Sequence, residues 1–365
     1  MKLKVILMVS LVVILVSAGS VGADKLDSAN LTARSLGMGG AFTGLADDLS
    51  SLYYNPAGMV DSGLVGIQLD LGTMVSISDE LDELQDIPDK INDDSISDAL
   101  SVIPDDVNFM GQGQLAANFK SFGVAYTTKA FAKSSNQGSS ASAYLIDLQE
   151  GVLSLGNELT EGLPCSIGKL AYGMNLRLIK LEKESYEVSS ATEVTKTETS
   201  DNSFGVDVGL LMNMTDYLKL GLQIQNLIKP DFDLSGDEEI SHYDGSTWVI
   251  DSDSYSEEMK LDRVGRIGAS LRVPIIDLTL AADIDNLGFL SDTKDDEVYH
   301  FGIEKDIIFN GLSLRAGTFS QEDGDNYLTC GLGLNLKALH LDIAAASDDR
   351  FDKSIAAVVS GRVKF

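Results

Sequence analysis

From Leu64 to the C-terminus, apolar residues recur at every second position in segments of about ten residues, separated by clusters of Asp, Ser, Asn, Gly and Pro. A period of two is that of a strand whose two faces meet different surroundings. Fourteen such segments lie at 64–74, 111–120, 122–132, 142–155, 168–182, 203–213, 218–228, 264–273, 276–286, 297–307, 312–320, 327–336, 339–346 and 355–365. An even count at this length predicts an all-β chain, a transmembrane antiparallel β-barrel of about 14 strands.

Two regularities favour a barrel over a soluble sandwich. The first is that connections alternate in length. Lys120-Ser121, Met214 to Tyr217, Pro274-Ile275, Phe309-Asn310 and Lys337-Ala338 are tight, whereas 75–110, 133–141, 183–202, 229–263, 287–296, 321–326 and 347–354 are long and polar. Short periplasmic turns and longer outer loops give this rhythm, and only 156–167 is too long for its place. The second is the unlike faces of each segment. Ile355, Ala357, Val359, Val363 and Phe365 share one face, with Ser360, Arg362 and Lys364 opposite; Leu278, Leu280 and Ile284 likewise oppose Thr279, Asp283 and Asp285. One side suits lipid and the other water, whereas a sandwich would have to pair every charge on its inner face. Inner-face glycines, among them Gly205, Gly209, Gly221, Gly268, Gly302, Gly317, Gly331 and Gly333, predict a curved wall that makes room for something inside.

The residues ahead of the strands divide in two. Lys2 and Lys4 precede an apolar run from Val5 to Val16 and a small-residue site ending Val21-Gly22-Ala23, the pattern of a signal peptide over 1–23. No later apolar stretch reaches the roughly 18 residues of a helical span, so a membrane role requires the barrel. With 27 Lys+Arg against 56 Asp+Glu, a net charge of −29, a basic nucleic-acid face is excluded. The acidity fits either a salt-rich habitat or rim carboxylates that bridge divalent cations. Two cysteines and three histidines are too few for a zinc cluster, and no Ser/His/Asp order emerges, so neither an enzyme, a cofactor nor a metal centre is expected.

Residues 33–59, ARSLGMGGAFTGLADDLSSLYYNPAGM, are the most specific local signal. Gly37, Gly39 and Gly40 give an adaptable turn. Asp47 or Asp48 can cap a short helix from Leu49 to Tyr54, which Asn55-Pro56 then stops. No strand precedes GMGG and no lysine follows it, so it is not a phosphate loop. The run Gly37, Met38, Gly39, Gly40, Ala41, Phe42, the pair Asp47-Asp48 and Asn55-Pro56-Ala57-Gly58 resemble the N-terminal plug of the FadL/OMPP1/TodX-type outer-membrane transport superfamily. In wording they are closest to its PorV-like and conjugal-transfer-TraF-like branch. The resemblance implies an N-terminal hatch over 24–62 inside a fourteen-stranded barrel over 63–365. It also implies one of two functions: passive uptake of hydrophobic small molecules of the fatty acid or hydrocarbon class, or docking of secreted or envelope proteins.

Candidate site residues follow from this frame. Arg177, Asp207, Arg266, Arg272, Asp283, Glu304, Arg315, Asp342 and Arg362 are expected to form a mutually paired lumen lining that anchors the hatch, with Arg34 a partner, because unpaired charges there would be costly. His300 and His340 join the polar lining. In 75–110, Leu81, Leu84, Ile87 and Ile91, then Ile96, Leu100 and Ile103, recur at helical spacing and predict an amphipathic ligand lid at the barrel mouth, or a surface packed on neighbouring loops or lipopolysaccharide. The acidic stretch from Asp231 to Glu258 reads as a solvated loop, or as oxygen ligands for Ca²⁺ without calcium-hand spacing. Cys165 and Cys330 pair only if a turn cysteine reaches a lipid-facing one. Expected partners are outer-membrane lipid, a hydrophobic small molecule, the barrel-assembly machinery through Phe365 and a secreted protein.

Overall fold

A computed structural model describes residues 32–76, 107–136, 140–159, 168–190, 192–244, 246–292, 297–307, 311–320, 326–348 and 354–365. The signal peptide, Cys165 and the candidate lid residues Leu81, Leu84, Ile87, Ile91, Ile96, Leu100 and Ile103 lie outside them.

The strands are β1 (Val65–Ser76), β2 (Val107–Phe119), β3 (Phe122–Asn136), β4 (Ala141–Leu159), β5 (Leu170–Ser190), β6 (Glu193–Asn213), β7 (Leu218–Ile228) and β8 (Asp231–Tyr243). There follow β9 (Trp248–Lys260), β10 (Val264–Val273), β11 (Leu278–Asp285), β12 (Val298–Ile307), β13 (Leu312–Ser320), β14 (Asn326–Leu336), β15 (Leu339–Asp348) and β16 (Ser354–Lys364). All pair antiparallel, β16 returns to β1, and β5 to β6 completes the circle. Sixteen strands make fourteen staves, because β8 continues β7 and β9 continues β10 along the same two tracks. The interruption is local: Asn226 takes φ +56°, the β6–β7 register shifts there, and Pro230, which has no amide to donate, separates β7 from β8.

The outward face carries the apolar band of a membrane barrel. On β5 it runs Tyr172, Met174, Leu176 and Leu178, all exposed, and then turns polar at Lys180 and Glu182. The strand itself continues to Ser190, and its 21 residues are twice what a spanning strand needs. Two segments read from sequence as polar connections are therefore wall: 183–202 is the β5–β6 hairpin, and most of 229–263 is the β8–β9 hairpin. The solvated-loop reading of the acidic stretch is corrected in the same way. Above the lipid neither face needs to be apolar, so the period of two that marks a spanning strand is absent. At the opposite end the turns are tight, with Lys120 and Lys337 at φ +54°.

Candidate functional site

The bore is stopped by residues 32–62. Helix α1 (Ala33–Gly37) starts at Thr32, whose hydroxyl accepts from the Ser35 amide while Ser35 returns a bond to the Thr32 backbone. This helix is too short to show in the hydrophobic pattern and was not expected. Gly39 and Gly40 follow at φ +65° and +80°, where only glycine is unstrained. The second helix, α2 (Ser51–Tyr54), begins later than its sequence suggests. Asp48 does not cap it directly but accepts from the Ser50 amide at 2.9 Å. Asn55, extended before Pro56, ends it and starts a 3₁₀ turn over Pro56–Asp61 by accepting from the Ala57 amide.

Wall glycines receive this backbone. A Cβ on Gly173 would lie 2.2 Å from the Pro56 carbonyl carbon, and one on Gly302 2.3 Å from the Met38 oxygen. Gly221 meets Thr43 and Gly317 meets Gly39 in the same way, and Gly209 makes room for the Asn55 side chain. Asn55 also donates to Thr43 O and, across the gap, to Leu210 O at 2.9 Å. Phe42 and Thr43 amides donate to the Asp283 carboxylate at 2.7 and 2.6 Å. Ala41 and Phe42 are fully buried, with Phe42 edge-on to Tyr54 and 5.4 Å beneath the Arg34 guanidinium. Ala57 and Gly58 are buried too, Gly58 against Ala46.

Charged groups join hatch and wall in a continuous chain. Arg362 meets Asp48 at 2.6 Å, and Asp48 meets Arg34 at 3.0 Å. Arg34 also reaches Asp47 at 2.5 Å and grips Glu304 with two nitrogens at 2.9 Å. Arg315 then bridges Glu304 and Asp342, both at 2.6 Å. Burial alone would raise the Asp48 carboxyl, but Arg362 and Arg34 beside it hold it well below the usual carboxylate range. Two further nodes stand on the wall. Arg177 pairs with Glu150 and Asp207 and donates to Asn226, while neighbouring Asn175 donates to Leu52 O. Arg266 pairs with Asp285 at 2.8 Å and donates to Gln223 and Gln225; Gln223 donates to Tyr53 O. His300 contacts Gly39 O at 2.7 Å, and His340 contacts Asn335.

Arg272 departs from the expected lining: it is exposed at the turn end of β10, one residue from the strand's close. Its inward parity is correct, but among the described residues no hatch segment covers the side chain, which is exposed. Cys330 is exposed on the outward face. Among the described residues no group of His, Cys, Asp or Glu has metal-binding geometry.

An inner feature missed from sequence lies above these polar nodes. Met110, Phe131, Leu148, Ile179, Phe232 and Leu234, with neighbours on β4, β5 and β9, close into an apolar cluster across the outer half of the bore. The signal was present as an inversion. On β5, Leu178 points to lipid while Ile179 and Leu181 point inward, with Lys180 and Glu182 outside. The bore thus holds an ion-paired hatch below and a closely packed apolar cluster above.

Solved structures share this fold. The Pseudomonas putida toluene transporter TodX is 13% identical, matching 92% of this chain and 99% of its own with a TM-score of 0.63. The Ralstonia pickettii toluene transporter TbuX and a Pseudomonas aeruginosa FadL homologue, each 12% identical, match 92% of this chain and 98% of their own with TM-scores of 0.58. A family model described as F plasmid transfer operon, TraF, protein matches residues 106–285. Comparison with curated protein sequences gives no match.

Proposed function

We propose that this chain is an outer-membrane barrel for passive uptake of hydrophobic small molecules, of the fatty acid or hydrocarbon class. The observation that carries the reading is the stacking within one bore of an apolar cluster, Phe131, Ile146, Leu148, Ile179 and Leu181, over a hatch held by ion pairs. An apolar lining of the bore gives a ligand side chains to pack on as it leaves water, and a hatch tied by paired charges closes the path to ions without a motor. The similar fold of toluene transporters and a FadL homologue supports the same class. In this reading the paired lining of Arg177, Asp207, Arg266, Asp283, Glu304, Arg315, Asp342 and Arg362 anchors the hatch, and 75–110 supplies an outer lid through Leu81, Leu84, Ile87, Ile91, Leu100 and Ile103. Phe365, whose amide closes on Val65 O while its ring stays exposed, serves the assembly machinery. A second reading, docking of secreted or envelope proteins, draws on the transfer-operon family model over 106–285. Extraction of the barrel in mild detergent separates the two: a co-purifying lipid-soluble ligand supports uptake, and a stoichiometric protein partner without one supports docking.

A further inference from the structure

The crown above the lipid band ends in a free edge. Strand β9 pairs with β8 from Trp248 to Lys260 and, among the described residues, with no strand on its other side. Among the described residues, the segment after β11 meets that edge at its base, where the Arg263 amide donates to Asp292 and the Gly265 amide to Ser291. Higher up, register decides which groups are open. The Leu261 amide donates to Pro230 O and the Asp244 amide to Thr247 O, so odd-numbered β9 residues bond β8. Ile250, Ser252, Ser254, Ser256 and Glu258 therefore turn their amides and carbonyls away from the sheet, and Asp253 meets the Ser254 amide locally.

Edges of this kind are commonly blunted by lysine, proline or a bulge. From Trp248 to Met259 this edge has none of them: the register with β8 is unbroken, and Ser252, Ser254 and Ser256 share its outward face. Its charges select an occupant. Asp233 stands directly opposite Glu258, and Glu238 opposite Asp253, like charges that destabilise a strand pair until a cation intervenes. A second copy of this chain would bring the same carboxylates together. A cationic strand would relieve them.

We propose that the β9 edge docks an extended, lysine- or arginine-rich segment of a partner protein, added to the crown as a further strand. Main-chain bonds to Ser252 and Ser256 and to the Ser254 carbonyl supply the affinity, and the carboxylates of β8 and β9 choose the sign of the guest's charge. This surface is separate from the bore and does not depend on the uptake reading.

The test uses the full-length barrel in detergent and a fluorescein-labelled peptide of alternating Thr and Lys, with a Thr-Glu repeat for comparison, read by anisotropy. Ser252→Pro with Ser256→Pro removes two outward amides while leaving the β8 ladder and every charge in place. The Thr-Lys peptide should bind, the Thr-Glu peptide should not, and the proline pair should weaken binding about tenfold or more. Hydrogen exchange should show new protection at Ser252 and Ser256 on binding. Equal binding by the proline pair, which would mean attraction without strand addition, overturns the proposal, as does failure of the native barrel to bind the Thr-Lys peptide.

Discussion

Arg362 of the last strand holds Asp48 of the hatch at 2.6 Å, on the same carboxylate oxygen that Arg34 reaches at 3.0 Å. One carboxylate therefore ties the hatch to the stave that closes the barrel against β1, and the plug is fastened where the cylinder is sealed. Replacing Asp48 with Asn removes a partner from two largely buried guanidiniums; Arg34 keeps Asp47 and Glu304, so the loss should be smaller than the ~3–5 kcal/mol of a fully stripped buried charge. D48N should keep a heat-modifiable barrel but admit ions, and planar-bilayer conductance should rise clearly above the native level. Arg272→Ala, at the exposed rim, should leave conductance unchanged.

The fit between wall glycines and hatch backbone makes a steric prediction. Gly302→Val places atoms where the Met38 carbonyl already sits, and Gly173→Val does the same at Pro56. The strands can absorb such a side chain, since β-branched residues suit them. The hatch cannot. Limited proteolysis from the periplasmic side should cut within 32–62 in either variant while the barrel band survives, whereas the native hatch should resist.

Acid should loosen the same latch. The folded Asp48 carboxyl titrates below the unfolded value of about 3.9, so its pairing stabilises fully above that value. The contribution is then lost progressively as pH falls toward the folded value. Hatch protection from protease should be flat between about pH 5 and 8 and should decline below about pH 4, with a smaller decline in D48N, which keeps the Arg34–Glu304 link between hatch and wall.

Much of this was legible in the sequence, for reasons particular residues make clear. The spanning staves declared themselves because lipid lies on one side: Tyr172, Met174, Leu176 and Leu178 alternate with residues that meet the bore. The GMGGAF run and Asn55-Pro56 marked the hatch because tight backbone approach admits few residue types. The crown was hidden, since Glu184, Thr195 and Ser252 sit in strands with water on a face that lipid would otherwise have marked. The apolar cluster in the bore was hidden too. Ile179 follows Leu178 directly, and two adjacent apolar residues facing opposite ways blur a period of two. Arg272 was misplaced because parity gives the face of a strand but not the height at which the hatch ends.

Passage of apolar molecules along the apolar cluster in the bore is the proposed activity, and charge placed there should stop it. Replacing Phe131 and Phe232 with Asp puts carboxylates into the cluster opposite apolar neighbours, away from the hatch and the outward band. The direct measurement is entry of a toluene-class and a long-chain fatty acid probe into proteoliposomes carrying the native barrel or the double variant, with folded barrel matched by gel mobility. The account predicts protein-dependent entry of at least one probe, reduced about tenfold or more in the variant. Entry no faster than into protein-free liposomes, or equal entry through both barrels, would contradict it.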